Sequence, residues 1–177
     1  MLTNDFILKK LSGGKTPEIG EAEALIPEII KSSKNTTSIL RFLLSDNPLI
    51  SFRVANILKK ASVKAPENIS ANKLTLLEIC EKADLKTGIP IDFPLLLAIP
   101  NWDSSELESI FEWLLECFDN ANQHTFTKVN CLDSLAKLSL RCSFEKEAVK
   151  EVIATEAENN PKASIRARCR KLLKLFH

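Results

Sequence analysis

Cysteine and histidine, the side chains best suited to nucleophilic and metal chemistry, are widely dispersed in this chain of 177 residues. The five cysteines are Cys80, Cys117, Cys131, Cys142 and Cys169, and no two stand closer than eleven positions. The sequence therefore lacks a C-x-x-C pair, the usual arrangement of a zinc or redox site. Each cysteine lies in an apolar pattern of helical period, which is typical of small buried side chains in a reducing compartment.

Catalytic signatures are also missing. Neither histidine, His124 nor His177, has another candidate ligand at metal-binding spacing, and no catalytic motif surrounds His124. No G-x-S-x-G sequence and no phosphate-binding glycine loop occurs. The sequence predicts a protein that is not an enzyme and that needs no metal and no cofactor.

The stretch best suited to recognition of another protein surrounds Trp113. The helical wheel of a predicted helix from about 105 to 118 puts Trp113 on its polar edge, away from Ile110 and Leu114. An aromatic ring among carboxylates suits the binding of a partner's Lys or Arg. Alternatively, Trp113 fills the gap to a neighbouring helix. The candidate partner-binding residues are Glu106, Ser109, Glu112, Trp113 and Glu116.

A basic run near the C-terminus suggests a different ligand. Six bases and no acid occur from Lys162 to Lys174. The candidate nucleic-acid-binding residues, which share one helix face, are Arg166, Arg170, Lys171 and Lys174. Six phosphate contacts would support binding to nucleic acid of any sequence. Alternatively, this face is a polar cap on the end of the fold.

The overall composition limits the class of protein. With 24 basic and 23 acidic residues the net charge is +1, so the general basic excess of a nucleic-acid-binding protein is absent. Apolar residues make up 45% of the chain, and four glycines with no tyrosine favour helices over β-structure. No segment reaches the roughly eighteen apolar residues of a membrane span, and the N-terminus does not match a signal peptide. We expect one cytoplasmic domain.

The helices that position these residues are organised by a repeat. The motif Asn-Pro-x-x-Ser-apolar-Arg occurs twice, as NPLISFR at 47–53 and as NPKASIR at 160–166. The two motifs start 113 residues apart, which is three periods of about 38 residues and is typical of stacked helical repeats. Lys128 lies one period before Arg166, and the remaining copy falls in the proline-rich segment 88–102.

These features resemble the HEAT-repeat family of armadillo-like proteins, in which a polar turn precedes an apolar-Arg pair; the clearest instance is residues 43–55. The resemblance implies an all-α, right-handed superhelix (solenoid) of about four HEAT-like helix pairs in one domain. Residues 36–177 would form the repeats, with a degenerate one at about 85–120, and residues 1–35 would form atypical helices that cap the stack. The recurring basic residues Arg53, Lys128 and Arg166 would bind loop carboxylates or carbonyls of the neighbouring repeat; alternatively, they bind a ligand.

The resemblance also implies that the second helix of each pair lines the concave side. Six acids and no base occur between Asn101 and Gln123, whereas the first helices are rich in Lys and Arg. An acidic concave surface repels phosphate and suits a basic peptide or protein. We expect a non-catalytic scaffold or adaptor; alternatively, the acids are only a solvated face.

The other candidate function is a nucleic-acid-associated protein that uses the C-terminal basic face. DNA alkylation-repair glycosylases of HEAT-like fold combine Trp with a catalytic Asp, as in Trp102-Asp103, but an acidic groove disfavours that activity.

Local signals predict where several helices begin and end. Thr16-Pro17 predicts a helix start, and Ser105 with Glu108 predicts a capping box. The prolines of the segment 88–102 leave room for only a short helix, Phe93 to Ile99. The helix at 125–141 is apolar over more than half of its circumference, so we expect it to be buried on two sides.

Overall fold

The computed structural model describes residues 2–12 and 19–176, and all regular structure within these residues is helical. The α-helices are α1 Asn4–Ser12, α2 Ile26–Lys31, α3 Ser33–Leu40, α4 Pro48–Ser62, α5 Pro66–Ser70, α6 Lys73–Lys82, α7 Phe93–Leu97, α8 Ser104–Asp119, α9 Thr125–Cys142, α10 Lys146–Asn159 and α11 Ala163–Leu173. Three short 3-10 segments are Gly20–Leu25, Arg41–Leu44 and Lys174–Phe176. The all-α prediction is confirmed for the described residues, and the predicted helix start at Thr16-Pro17 lies outside them.

The helices form two layers. The first layer contains α1, α4, α7, α9 and α11, and each of these helices packs against the next one in that order. In the second layer, α3 packs on α6 and α6 packs on α8. Helix α10 completes that layer, where it packs on α9 and α11, and α8 also packs on α9 across the layers. The hydrophobic core therefore runs along the length of the chain between the two layers.

Helix α9 lies at the centre of this packing, in contact with α7, α8, α10 and α11. Its buried side chains are Thr127, Cys131, Leu132, Ser134, Leu135, Ala136, Leu138 and Ser139. The buried hydroxyl groups do not stay unpaired: Thr127 Oγ1 donates to Ile89 O and Ser134 Oγ donates to Pro94 O. Because burying one Leu is worth about 1.5–3 kcal/mol, this helix contributes strongly to the core. It is covered on two sides, as predicted.

Several side-chain hydrogen bonds join an element to one about 40 residues earlier in the chain. Four examples are Arg53 Nη1 to Leu11 O, Asn130 Nδ2 to Ile91 O, Ser134 Oγ to Pro94 O and Arg141 Nη1 to Ala98 O, over 42, 39, 40 and 43 residues. Their acceptors include carbonyls at helix ends, where no intrahelical donor is available. These separations agree with the period of about 38 residues predicted from the sequence.

The two copies of the Asn-Pro motif form the same local turn. In each copy the Asn Oδ1 accepts a hydrogen bond from the amide two residues later, at 3.0 Å for Asn47 and 2.9 Å for Asn160. Helix α4 begins at Pro48, as predicted. Helix α11 begins at Ala163 rather than at Pro161, because Asn160 first ends α10 as its C-terminal cap.

The basic residues that recur with the repeat have three different environments. Arg53 is fully buried, and its bond to Leu11 O joins α4 to the preceding helix of the first layer, as expected. Lys128 instead places its Nζ 5.6 Å from the ring centroid of Phe118. Arg166 donates to two carbonyls of its own turn. The expected bond between repeats is therefore made by Arg53, whereas Arg166 stabilises the turn before its own helix.

The capping box of α8 differs from the predicted one. Asp103 Oδ1 accepts from the amide of Glu106 at 3.0 Å, and the Glu106 carboxylate accepts from the amide of Asp103 at 2.9 Å. The predicted capping box of Ser105 and Glu108 was therefore wrong by two positions. Asp103 is also followed three residues later by an acid, Glu106, and it is Asp103 that caps the helix. The bond from the Glu106 amide lowers the pKa of the Asp103 carboxyl.

We expect Arg53→Met to lower the free energy of unfolding by about 1.5–3 kcal/mol, because Leu11 O would lose a charged donor inside the protein. Urea denaturation followed by circular dichroism measures the change. The matched control is Arg41→Met, which alters an exposed arginine and should change stability by less than about 0.5 kcal/mol. Equal losses in the two variants would contradict the role given to Arg53.

Candidate functional site

A cleft runs between helices α6 and α8 of the second layer. It consists of two adjoining cavities of about 320 Å³ each, and Cys80, Glu81 and Trp113 line both of them. We call these two cavities the α6–α8 cleft. Four of the five candidate partner-binding residues line it: Glu106, Ser109, Trp113 and Glu116. The fifth, Glu112, is an exposed residue of the same helix.

Trp113 forms the floor of the cleft rather than an exposed anchor. Only 8% of the residue is exposed, and its indole Nε1 donates to Cys80 O at 3.1 Å. Its ring meets Phe93 edge-on, with 5.5 Å between the centroids and 88° between the planes. The placement of Trp113 on a polar edge was therefore wrong, because α6 and α7 cover the side of α8 that the helical wheel leaves open. Of the two alternatives, the structure has the one in which Trp113 fills the gap to a neighbouring helix.

The acidic residues near Trp113 differ in whether they already bind another side chain. The Glu106 side chain is 13% exposed and accepts from Lys73 Nζ at 2.6 Å, in addition to its role in the capping box. The Ser109 hydroxyl donates to Ser105 O within α8. Glu112 and Glu116 are exposed, and no salt bridge holds them among the described residues.

Negative charge dominates the lining of the α6–α8 cleft. Its acidic residues are Glu81, Asp84, Glu106 and Glu116, and its one basic lining residue is Lys86. With Lys73 counted as the partner of Glu106, two negative charges remain in excess. Acidic residues of two different helices, α6 and α8, therefore line one cleft together with Trp113.

The C-terminal basic face is only partly available to a ligand. Arg166 is half-buried, and its Nη1 donates to Asn160 O at 2.6 Å and to Pro161 O at 3.1 Å. Arg170, Lys171 and Lys174 are exposed on or just after α11. Of the four predicted basic residues, Arg166 is thus held by bonds to its own turn, and the other three are exposed to solvent.

A larger cavity, about 750 Å³, lies in the first layer between α4, α7, α9 and α11. We call it the first-layer groove. Sequence reasoning missed it, although one signal was present: Asp133 and Arg168 stand 35 residues apart, close to one period. In the structure, Arg168 Nε and Nη2 donate to the two carboxylate oxygens of Asp133, at 2.6 and 2.7 Å. This pairing raises the pKa of Arg168.

Four of the five cysteines are buried, and one is exposed. Burial raises the pKa of Cys80 well above its ordinary value and raises that of Cys169 to about 11. A hydrogen bond with Cys117 is the main reason why the pKa of Cys131 is also raised. Cys142 alone is exposed. In the described parts of the chain, no group of three or more His, Cys, Asp or Glu is placed to hold a metal ion.

Thiol labelling tests this arrangement. We expect a disulfide reagent at about pH 8 to modify Cys142 rapidly in the native protein and the four buried cysteines only after denaturation, because the thiolate is the reacting form. Absorbance of the released thiol measures the number of reactive groups. Cys142→Ser should abolish the rapid phase, and a second cysteine reacting at the same rate would contradict the burial described.

Among residues 2–12 and 19–176, no helix is long and apolar enough to span a membrane. Comparisons of the chain with protein-family models, with curated proteins and with solved structures found no match.

Proposed function

We propose that this chain is a non-catalytic scaffold or adaptor that binds a basic segment of a partner protein at the α6–α8 cleft. The proposal includes a finer architecture, a right-handed superhelix of about four HEAT-like helix pairs with α1 and α2 at one end. Two observations support that architecture: the two layers of successively packed helices, and hydrogen bonds that recur at separations near 38 residues.

The observation that carries the binding site is that acidic residues of two helices line one cleft together with Trp113. Glu81 comes from α6 and Glu116 from α8, and both line the same cavity as Trp113. A lysine or arginine has the complementary form, with an aliphatic stem and a charged end. The stem would lie along the edge of Trp113, and the charged group would reach the carboxylates.

The expected strength of such contacts defines the partner further. One exposed ion pair contributes only about 0.2–1 kcal/mol, because water and salt screen it. Glu81, Glu112 and Glu116 together would need several cations on one segment to give useful affinity. The proposal therefore concerns a segment with several Lys or Arg residues rather than one basic side chain.

The second candidate is a nucleic-acid-associated protein that uses Arg166, Arg170, Lys171 and Lys174. The exposure of the last three residues supports it. The local bonds of Arg166 weaken it, since a guanidinium that donates to carbonyls of its own turn has fewer donors for phosphate. Glycosylase chemistry has less support still, because Asp103 caps α8 and the Trp102 indole donates to Leu97 O.

Fluorescence anisotropy with a labelled lysine-rich peptide tests the first proposal. We expect saturable binding at about 0.15 M salt, and a loss of at least about tenfold in affinity for Glu81→Lys with Glu116→Lys, since like charges would then meet. The matched control is Glu147→Lys with Glu158→Lys, which makes the same charge change on exposed α10 positions. Equal losses in both double variants would contradict a localised site.

Binding to DNA tests the second candidate. We would expect retention on immobilised duplex DNA that weakens as salt rises. The double variant Arg166→Ala with Arg170→Ala should abolish this retention, because each phosphate contact contributes to the affinity and to its salt dependence. Circular dichroism of this double variant should show native helix content. Retention that both substitutions leave unchanged would contradict use of the C-terminal basic face.

A further inference from the structure

The first-layer groove exists because one helix of the layer is short. Helix α7 has 5 residues, whereas its neighbours α4 and α9 have 15 and 18. Both neighbours extend beyond Leu97, where α7 ends, and α11 forms the far wall. The result is an open depression rather than a closed pocket. None of its lining residues lines the α6–α8 cleft, so an inference about it is independent of the proposed function.

Exposed apolar side chains line the groove. Val63 is 83% exposed on one side and Leu175 is 57% exposed on the other, and both line the groove. Leu95, Ile99 and Leu140 are half-buried between them. Grouped exposed side chains of this kind, bordered by charged residues, are typical of a surface that another molecule covers.

The border of the groove is cationic. Its charged lining residues are Lys59, Lys137, Arg141, Arg168 and Asp133, and Asp92 lies beneath as the partner of Lys59. Counting both acids, two positive charges remain in excess, although the net charge of the whole chain is only +1. An acidic ligand is therefore favoured at this groove, whereas a basic ligand is favoured at the α6–α8 cleft.

Most of these cations are already held in position. Arg168 is fixed by Asp133, and Arg141 donates to the three carbonyls of Ala98, Ile99 and Pro100 that follow α7. Lys137 is exposed and has no salt bridge among the described residues. The border thus combines guanidinium groups that are already held in position with a lysine that is available to a ligand. The guanidinium groups would therefore lose little side-chain entropy on binding.

We propose that the first-layer groove binds an acidic amphipathic helix of a partner protein. The apolar residues of that helix would contact Val63, Ile99 and Leu175, and its carboxylates would face Lys137 and Arg168. The apolar side chains of the groove offer no hydrogen bonds to an extended backbone, and the hydroxyls of Ser62 and Ser134 already donate to backbone carbonyls, whereas a helix satisfies its own backbone groups. Apolar residues at i, i+3 or i+4 and i+7 are the usual anchors of a helix in such a groove.

Nucleic acid fits the same surface less well. Single strands bind proteins through aromatic side chains on which bases stack, and no aromatic residue among 2–12 and 19–176 lines the groove. Binding to nucleic acid of any sequence also depends on neutralising several phosphates, and the excess of two positive charges at this border is small for that purpose. The combination of apolar floor and sparse positive charge therefore favours a protein helix.

Selection from a displayed library of random helical peptides tests this proposal directly. We expect the enriched peptides to be acidic and to carry apolar residues at helical spacing. One of them, made synthetically and labelled, should lose at least about tenfold in affinity for Val63→Asp with Lys137→Glu. It should lose less than about twofold for the matched control, Leu74→Asp with Lys146→Glu, which alters an exposed leucine and an exposed lysine elsewhere.

Three results would overturn the proposal: no enrichment, enrichment of basic peptides, or equal weakening by the groove and control variants. Circular dichroism establishes that both double variants are folded. A single-stranded oligonucleotide that binds wild type and is lost only in the groove variant would show that nucleic acid occupies the site. Because Glu81→Lys with Glu116→Lys should leave the selected peptide bound, failure at the groove is distinguishable from failure at the α6–α8 cleft.

Discussion

Helix ends leave backbone carbonyls without intrahelical donors, and the stacking of this protein depends on supplying those donors from elsewhere. The donors come from side chains about one repeat later, as when Arg53 reaches Leu11 O and Arg141 reaches the carbonyls after α7. A buried carbonyl left unpaired costs about 1–3 kcal/mol. Apolar packing alone would tolerate a small slide of one helix pair along the next. Directional bonds do not, so they fix the register between neighbouring helices.

The proline-rich segment also lies beside the first-layer groove, a depression of about 750 Å³. Three prolines, Pro90, Pro94 and Pro100, restrict regular helix between α6 and α8, and only the 5 residues of α7 form one. That shortening obscures the repeat in the sequence and opens the first-layer groove in the structure. The second layer meanwhile presents carboxylates at the α6–α8 cleft. A chain with nearly balanced charge thus has two surfaces of opposite sign.

Features that depend on local sequence were predictable, and features that depend on distant helices were not. The helical class, the start of α4 and the two-sided burial of α9 follow from periodicity and capping within one segment. The burial of Trp113 depends on α6 and α7, which a helical wheel of α8 does not include. The first-layer groove depends on the relative lengths of α4, α7 and α9. The site of the capping box was ambiguous, because acids stand three residues after both Asp103 and Ser105.

The bonds between successive repeats bear on how the chain folds. Contacts that close loops of about 40 residues cost little more entropy than shorter loops, since the cost grows only with the logarithm of loop length. In the proposed superhelix, folding can nucleate at any adjacent set of helices and then grow in both directions. Helix α9 packs against α7 and α11 in its own layer and against α8 and α10 in the other, so its opening would break contacts on both sides. Backbone amides of α9 should accordingly exchange slowly with solvent.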